Sequence, residues 1–472
     1  MDPLAGCPAD DAVGSALRGL VGAGPARLTA TTAAEYRSRG VTVASWSDGR
    51  QEIRPVVLDP LPRVVPAAVW AQLAAGVEQR HRALNAFLAD AYRAAGRRRS
   101  DPDRSAEIVR AGLLPEWAVV HSPGRDPAAI GLAWPGQDRA TVAAADLVGT
   151  AAGGWTVVAD HLQVPAGLGY ALAARDAMRG LGAGQTPPPG VVDSGDAVPM
   201  LGEGLASAGP PACDGPPRIA VLTTSNGAGI PYEDTLIART LAVPLVHATD
   251  LWPGMDGGLE AVVDGLRCPV DVLYRRFGDA GLGAYRTPAG QPLDVLLPDA
   301  VRAGRLGLVN VPGNGIADDA ATFAWVPAMI GFYLGEEPLL PSLPTRVLAD
   351  AEQWAAVRDR MHEYVFTPVA GYGGGRGVSG PSCSVAQLAE LRREIAAAPH
   401  RFVAQEPVAV ATLPAASGNG WEPRAASLRV FTVGGPTVRA LPAPLTCTGA
   451  DDAAFPALES GAATKDTWLL GE

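Results

Sequence analysis

The stretch Tyr364–Gly380, YVFTPVAGYGGGRGVSG, limits what this chain can fold into more than any other part of it. A short apolar run (Tyr364, Val365, Phe366) passes through Pro368 into a loop holding Gly371, Gly373, Gly374, Gly375 and Gly377. Glycines at that density let backbone N–H groups close around an anion, because no Cβ blocks the approach. The stretch therefore reads as a strand feeding a phosphate cradle, although on its own it also fits a plain flexible turn. Thr367 stands where a nucleotide-gripping strand is expected to offer a lysine. Lys465 is the single lysine among the 38 basic residues of the chain; the others are arginines.

The 472 residues exceed one ordinary domain and fit two or three. With 47% hydrophobic and 18% charged residues, a sizeable core forms and global disorder is excluded. The net charge of −11 argues against a general nucleic-acid binder, whose affinity comes mainly from neutralising phosphates. Arg97, Arg98 and Arg99 read as a solvated helix end. The five cysteines (Cys7, Cys213, Cys268, Cys383, Cys447) lack C-x-x-C spacing, so no zinc ribbon or redox pair is expected. The acidic N-terminus lacks the basic start and apolar centre of a secretory signal. The most apolar run near a helix, Ala324–Leu334, is too short to span a bilayer. A cytoplasmic protein with no nucleic-acid or membrane partner is expected.

Residues 1–28 are Gly/Ala/Pro-rich and read as loose. Pro66 opens a helix on which Trp70, Leu73, Val77, Leu84 and Leu88 recur at helical spacing. WTVVA (155–159) reads as a buried strand followed by a turn, with Asp160 a turn residue. Residues 182–217 are dense in proline and glycine and read as a linker or long surface loop. Beyond it, apolar strands at Arg218–Thr224, Val243–His247, Val270–Phe277 and Gly307–Val311 alternate with helical stretches, which predicts an α/β layer with a largely parallel sheet. Asp318–Leu334, Gln353–His362 and Ser384–Ala398 read as helices, and Phe402–Val408 and Leu428–Val433 as strands.

Several segments in order are VLDPLPRVVP (57–66), RHRALNAFLADAY (80–92), DVLYRRF (271–277), GNGIADD (313–319), FYLGEEPLLPSLPT (332–345), the glycine loop, VAQEPVA (403–409), EPRAASLRVF (422–431) and KDTWLL (465–470). In sequence and spacing this series resembles the circularly permuted ATP-grasp type 2 family, distantly similar to glutathionylspermidine synthetase. The resemblance covers roughly residues 30–470. It implies a fold of α/β and α+β parts: a circularly permuted ATP-grasp pair of lobes attached to a Rossmann-like preATP-grasp layer. The implied division is 1–28 loose, 29–181 an N-terminal ATP-grasp portion, 182–217 a linker, 218–345 the preATP-grasp layer, and 346–472 the nucleotide lobe. It also implies ATP and Mg²⁺ as cofactors. The reaction would be carboxylate–amine ligation through an acyl-phosphate, in which metal and cationic side chains neutralise the transferring phosphate.

Carried onto this sequence, the resemblance places Gly371, Gly373, Gly374, Gly375, Arg376, Gln405, Glu406, Val408 and Lys465 at the nucleotide, and Arg429, Arg424 and Arg276 at the chemistry. Asp146 takes the metal position, with His161 either a further ligand or a satisfied structural residue. The departures gather at the same places. Gly149, Ala159, His161, Gln163 and Ala166 replace the arginine, acid, amide, arginine and serine of the metal-side motifs. Thr367 and Ala320 replace lysines, Ser427 replaces an acid, and ALESGAAT (457–464) replaces an amide- and glycine-rich segment. Arg376 is positioned to substitute for a missing ammonium. Three functions follow. The preferred one is an ATP-grasp protein with eroded ligands, non-catalytic or weakly nucleotide-binding, working with a protein partner: an active paralogue or a helical companion. The alternatives are an active ligase with rewired ligands, and a nucleotide-independent module binding a small molecule or peptide.

Overall fold

The computed structural model describes residues 12–47, 50–95, 105–134, 136–180, 187–224, 231–369, 377–449 and 455–471. Its largest sheet has the strand order Leu58–Val65, Ala463–Leu469, Leu445–Thr448, Gly420–Val433, Val142–Gly149, Trp155–His161. Thr412–Ser417 and Arg439–Ala440 pair onto the long strand Gly420–Val433. Only Leu58–Val65 and Ala463–Leu469 run parallel; the other described pairings of this sheet are antiparallel. Strands from residues 58–161 and from residues 412–469 thus interleave in one sheet. Seven of the eight residues of Val142–Gly149 are buried, as its near-unbroken apolar sequence requires of a central strand. The helix Ala67–Ala95 lies across this sheet. Leu73 and Val77 pack with Leu147, Val157, Leu428 and Val430, while Leu84 and Leu88 enter a neighbouring core.

A second sheet has the order Gly307–Val309, Val272–Arg275, Ile219–Leu222, Leu245–Val246, with every pairing parallel. All residues of its two strands Val272–Arg275 and Gly307–Val309 are buried, the pattern of a sheet covered on both faces. A third, antiparallel sheet joins Thr345–Val347, Phe402–Gln405, Val365–Pro368 and Val378–Ser379. The helix Val385–Ala397 covers one face of it, packing Leu391 and Ile395 near Phe366 and Phe402. Ser384 and Gln387 form a reciprocal capping box at the start of that helix. Leu251–Pro253, Leu259–Val263 and Leu266–Val270 form a smaller meander, and Thr42–Ser47 pairs antiparallel with Arg50–Pro55.

The parallel layer and the helix after Pro66 follow the sequence reading closely; other elements differ. Residues 12–28 are not loose: Ala12–Ala23 and Pro25–Ser38 are helices that bury Val13, Leu17, Leu20 and Leu28. Val13, Leu17 and Leu20 recur at helical spacing on the buried face of the first of these helices. Within 182–217, AVPMLGEGLAS (197–207) is a helix burying Leu201 and Leu205. The flanking proline clusters masked a short apolar segment. The strand Trp155–His161 runs past Ala159, so Asp160 is a strand residue, not a turn residue. The single helix read at Asp318–Leu334 is three short segments, Ala320–Phe323, Val326–Met329 and Ile330–Leu334. Pro327 lies in the first turn of the second segment, where its missing N–H costs no intrahelical bond. Among the described residues no helix is long and apolar enough to cross a membrane.

Candidate functional site

Asp146 and Arg429 are cross-strand partners on Val142–Gly149 and Gly420–Val433. Directly opposed residues of an antiparallel pair present their side chains on one face. The guanidinium grips the carboxylate at both oxygens, Nε to Oδ1 at 2.7 Å and Nη2 to Oδ2 at 2.8 Å. His161 adds its Nε2 at 2.8 Å from Asp146 Oδ2 and 3.2 Å from Arg429 Nη2. On the other flank Asp146 faces Ala159, which offers no ligand atom. The remaining Arg429 donor, Nη1, reaches the carbonyl of Ala166 at 2.8 Å. Burial alone would raise the Asp146 carboxyl. The charges of Arg429 and His161 and their hydrogen bonds outweigh it and hold the carboxyl well below the usual range. The same pairing holds the Arg429 guanidinium charged against its own desolvation.

Among the described residues around this triad, Glu459 is an exposed carboxylate lining the same small cavity, while other neighbours are closed or inert. Ser427, at the expected acid position, donates its hydroxyl to the Pro456 carbonyl at 2.6 Å. Burial pushes the Cys447 thiol, which lines the same small cavity, up to about 12, so it supplies no thiolate. Asp318 accepts the backbone N–H groups of Leu162 and Gln163, the latter at 3.1 Å, and fixes the exit of the strand bearing His161. Burial pushes its carboxyl up to about 7 despite those bonds. Asp319 caps the helix Ala320–Phe323 and accepts the Ser122 hydroxyl at 2.8 Å.

The other sequence-predicted residues lie elsewhere. Gly371, Gly373, Gly374, Gly375 and Arg376 fall outside the described residues. Lys465 is fully buried; its ammonium pairs with Asp59 and donates to the carbonyls of Leu61 and Pro414, each at 2.9 Å. All three donors of that ammonium are engaged within the core. Arg276 is clamped by Glu233 at 2.9 Å and Asp234 at 3.1 Å. Its neighbour Arg275, on the opposite side of the chain, pairs with Asp279 at 2.7 Å. Arg424 borders a separate cavity lined by Asp59, Thr448 and Ala416, with Glu422 at 3.8 Å.

In the expected adenine hinge, the Gln405 amide donates to Thr345 Oγ1 at 2.9 Å, Glu406 is exposed 3.7 Å from Arg346, and Val408 packs against the core cluster that includes Leu147 and Val148. Thr367 lies opposite Val403. Val403 and Val347 pack on Ala321, in an apolar seam that includes Ala320. Asp146, His161 and Arg429 are therefore the predicted residues that the fold unites. Among the described residues no three His, Cys, Asp or Glu side chains are placed to share a metal ion.

Sequence reasoning missed the partners that fix these groups: Asp59 for Lys465, Glu233 for Arg276, and Arg80 for Asp160. The adjacent acids Glu233 and Asp234 at a helix start were the one available signal, since two buried carboxylates there require a cation.

Comparison with known proteins adds the deciding observation: the profile of the circularly permuted ATP-grasp type 2 family matches residues 62–448. The chain belongs to that family. A Frankia alni relative of this ATP-grasp chain, provisionally named glutamate–cysteine ligase 2-3, is 38% identical over 438 residues, 92% of this chain and 49% of the relative. An uncharacterized Mycobacterium leprae protein is 32% identical, over 94% of this chain and 79% of its own length. The ATP-grasp chain spans about half the length of the Frankia relatives it matches. Among solved structures, a glutathione synthetase-like effector (GSS30) from Globodera pallida, in its apo form, superposes with a TM-score of 0.55 at 13% identity. The superposition covers 94% of this chain and 98% of that one. At that identity the match speaks for the fold: an ATP-grasp arrangement with a Rossmann-like layer.

Proposed function

We propose that this protein is a non-catalytic or weakly nucleotide-binding ATP-grasp relative that acts with a protein partner. The observation that carries the reading is the closed triad at the metal position. Mg²⁺ requires several oxygen ligands in near-octahedral geometry. Here Asp146 has both oxygens engaged by Arg429 and His161, and its strand neighbour is Ala159. The described residues do not fit the ion. A cation already neutralises the charge that would have drawn it.

The cations that would steady a transferring phosphate fare likewise. Lys465 and Arg276 are held in buried pairs, and Thr367 and Ala320 stand at the lysine positions. Support for a partner comes from the Frankia relatives, where the matched region is half of a longer polypeptide. The competing reading, an active ATP-dependent carboxylate–amine ligase, is favoured by the ligase names of those same relatives.

The two readings separate in one assay. Purified protein with Mg-ATP and mixed amino acids as acid and amine is expected to release no ADP above the protein-free rate, followed by a coupled enzymatic readout. Sustained release that disappears in Asp146→Ala would establish the ligase reading instead.

A further inference from the structure

The carboxyl ends of Ile219–Leu222 and Val272–Arg275 form the switch point of the parallel sheet, because the chain leaves these strands toward opposite edges. In open α/β sheets this is where a ligand crevice ordinarily opens. Among the described residues, what stands at these strand ends is the chain's own segment 165–169, the first turn of the helix Leu168–Gly180 and the residues leading into it. Arg276 donates to the Pro165 carbonyl at 2.9 Å and pairs with Glu233 Oε2 at 2.9 Å. Glu233 Oε1 accepts the N–H groups of Gly167 at 2.7 Å and Gly169 at 3.0 Å. Asp234 completes the clamp, bonded to Arg276 Nε at 3.1 Å and to the Thr223 hydroxyl at 2.6 Å.

Within that segment the Ala166 carbonyl, next to the one bonded by Arg276, receives Arg429 Nη1 at 2.8 Å. The turn has no slack. Gly167 adopts φ +121°, and a Cβ there would sit 2.9 Å from Leu445 Cδ2. A Cβ on Gly169 would sit 2.7 Å from Glu233 Cγ.

We infer that Glu233 is a positioning residue for the Asp146–Arg429 pair, acting from the parallel layer through the turn it holds and the Ala166 carbonyl. It touches neither member of the pair. This rests on the reading of Arg429 as the group that closes Asp146. A carboxylate accepting two backbone N–H groups while paired to a buried guanidinium is rigid, so it fixes the carbonyl it borders. A side chain that served only general stability would leave the Arg429 guanidinium unchanged in the folded protein.

The test reads the Arg429 Nε–H signal in ¹⁵N-labelled protein, assigned by its loss in Arg429→Lys. Its solvent exchange is expected to quicken about tenfold or more in Glu233→Ala, the loss of charge-assisted bonds that held the turn. Glu233→Gln keeps an acceptor for both N–H groups but gives up the charge and the pair with Arg276, and is expected to quicken exchange less than Glu233→Ala does. Gly169→Ala, which crowds Glu233 without altering its chemistry, is expected to act like Glu233→Ala and serves in its place should that variant not fold. Unchanged exchange in folded Glu233→Ala or Gly169→Ala would overturn the inference, as would exchange in Glu233→Gln as fast as in Glu233→Ala. ADP release by the native protein would overturn the functional reading and leave this relay standing. Unchanged Arg429 exchange would do the reverse.

Discussion

Arg80→Met is expected to cost about 3–5 kcal/mol of folding stability, the range seen when one member of a buried ion pair is removed. The side chains of Arg80 and Asp160 are 2% and 3% exposed. Their bonds run from Nε to Oδ1 at 2.9 Å and from Nη2 to Oδ2 at 2.5 Å, and Arg80 Nη1 also reaches Ser342 Oγ at 2.8 Å. Methionine preserves the apolar stem but strands a carboxylate without water or a cation. The pair joins the helix Ala67–Ala95 to the strand that carries His161, so the loss bears on the site as well as the core. Urea unfolding should show a lower midpoint at an unchanged slope. The double change Arg80→Met, Asp160→Asn is expected to recover part of the loss, because the uncompensated charge is gone. A loss below about 1 kcal/mol in the single variant would mean that the pair behaves as a solvated one.

Arg429→Met is expected to cost about 2–4 kcal/mol, slightly less than the deeper pair because its two side chains keep 14% and 20% exposure. The sign of its pH dependence is fixed. The Asp146 carboxyl is depressed in the folded protein, chiefly by Arg429 acting against desolvation. A depressed carboxyl adds stability above its unfolded value of about 4, and that contribution falls away as pH drops toward the folded value. The difference between native and variant protein should therefore be full at pH 7 and shrink as pH falls below about 4. Unfolding free energies measured between pH 7 and pH 3 check this. A difference that stayed constant, or grew toward low pH, would mean that the pair is not the source of the stabilisation.

Legibility of the sequence followed the kind of interaction involved. Buried parallel strands announce themselves as short apolar runs, so the layer from Ile219 to Val309 was readable to within a residue or two. The leucine stripe after Pro66 was equally plain, because one helix face carries the whole signal. Composition misled where short apolar segments sat among prolines and glycines, as at Leu201 and Leu205. It misled again at residues 12–28, where alanines and glycines suit a packed helix as well as a loose chain.

At the candidate site, motif order picked out Asp146 and Arg429, and left His161 as either a ligand or a structural residue. Their mutual arrangement did not, since it depends on register between strands nearly three hundred residues apart. Lys465 shows the limit most clearly. A solitary lysine in a nucleotide-binding family reads as a phosphate ligand, yet only the parallel pairing of Leu58–Val65 with Ala463–Leu469 brings Asp59 against it. Charge partners distant in sequence are set by topology, and one sequence does not encode them locally.

The central claim is that the cleft kept the architecture of a nucleotide-binding fold while its metal position became an internal ion pair. A thermal-shift titration with ATP, run with and without Mg²⁺, tests it most directly, because a ligand that binds only the folded state raises the melting temperature. The expected result is a small shift or none, the same in both series. A large rise that requires Mg²⁺ and vanishes in Asp146→Ala would contradict the account.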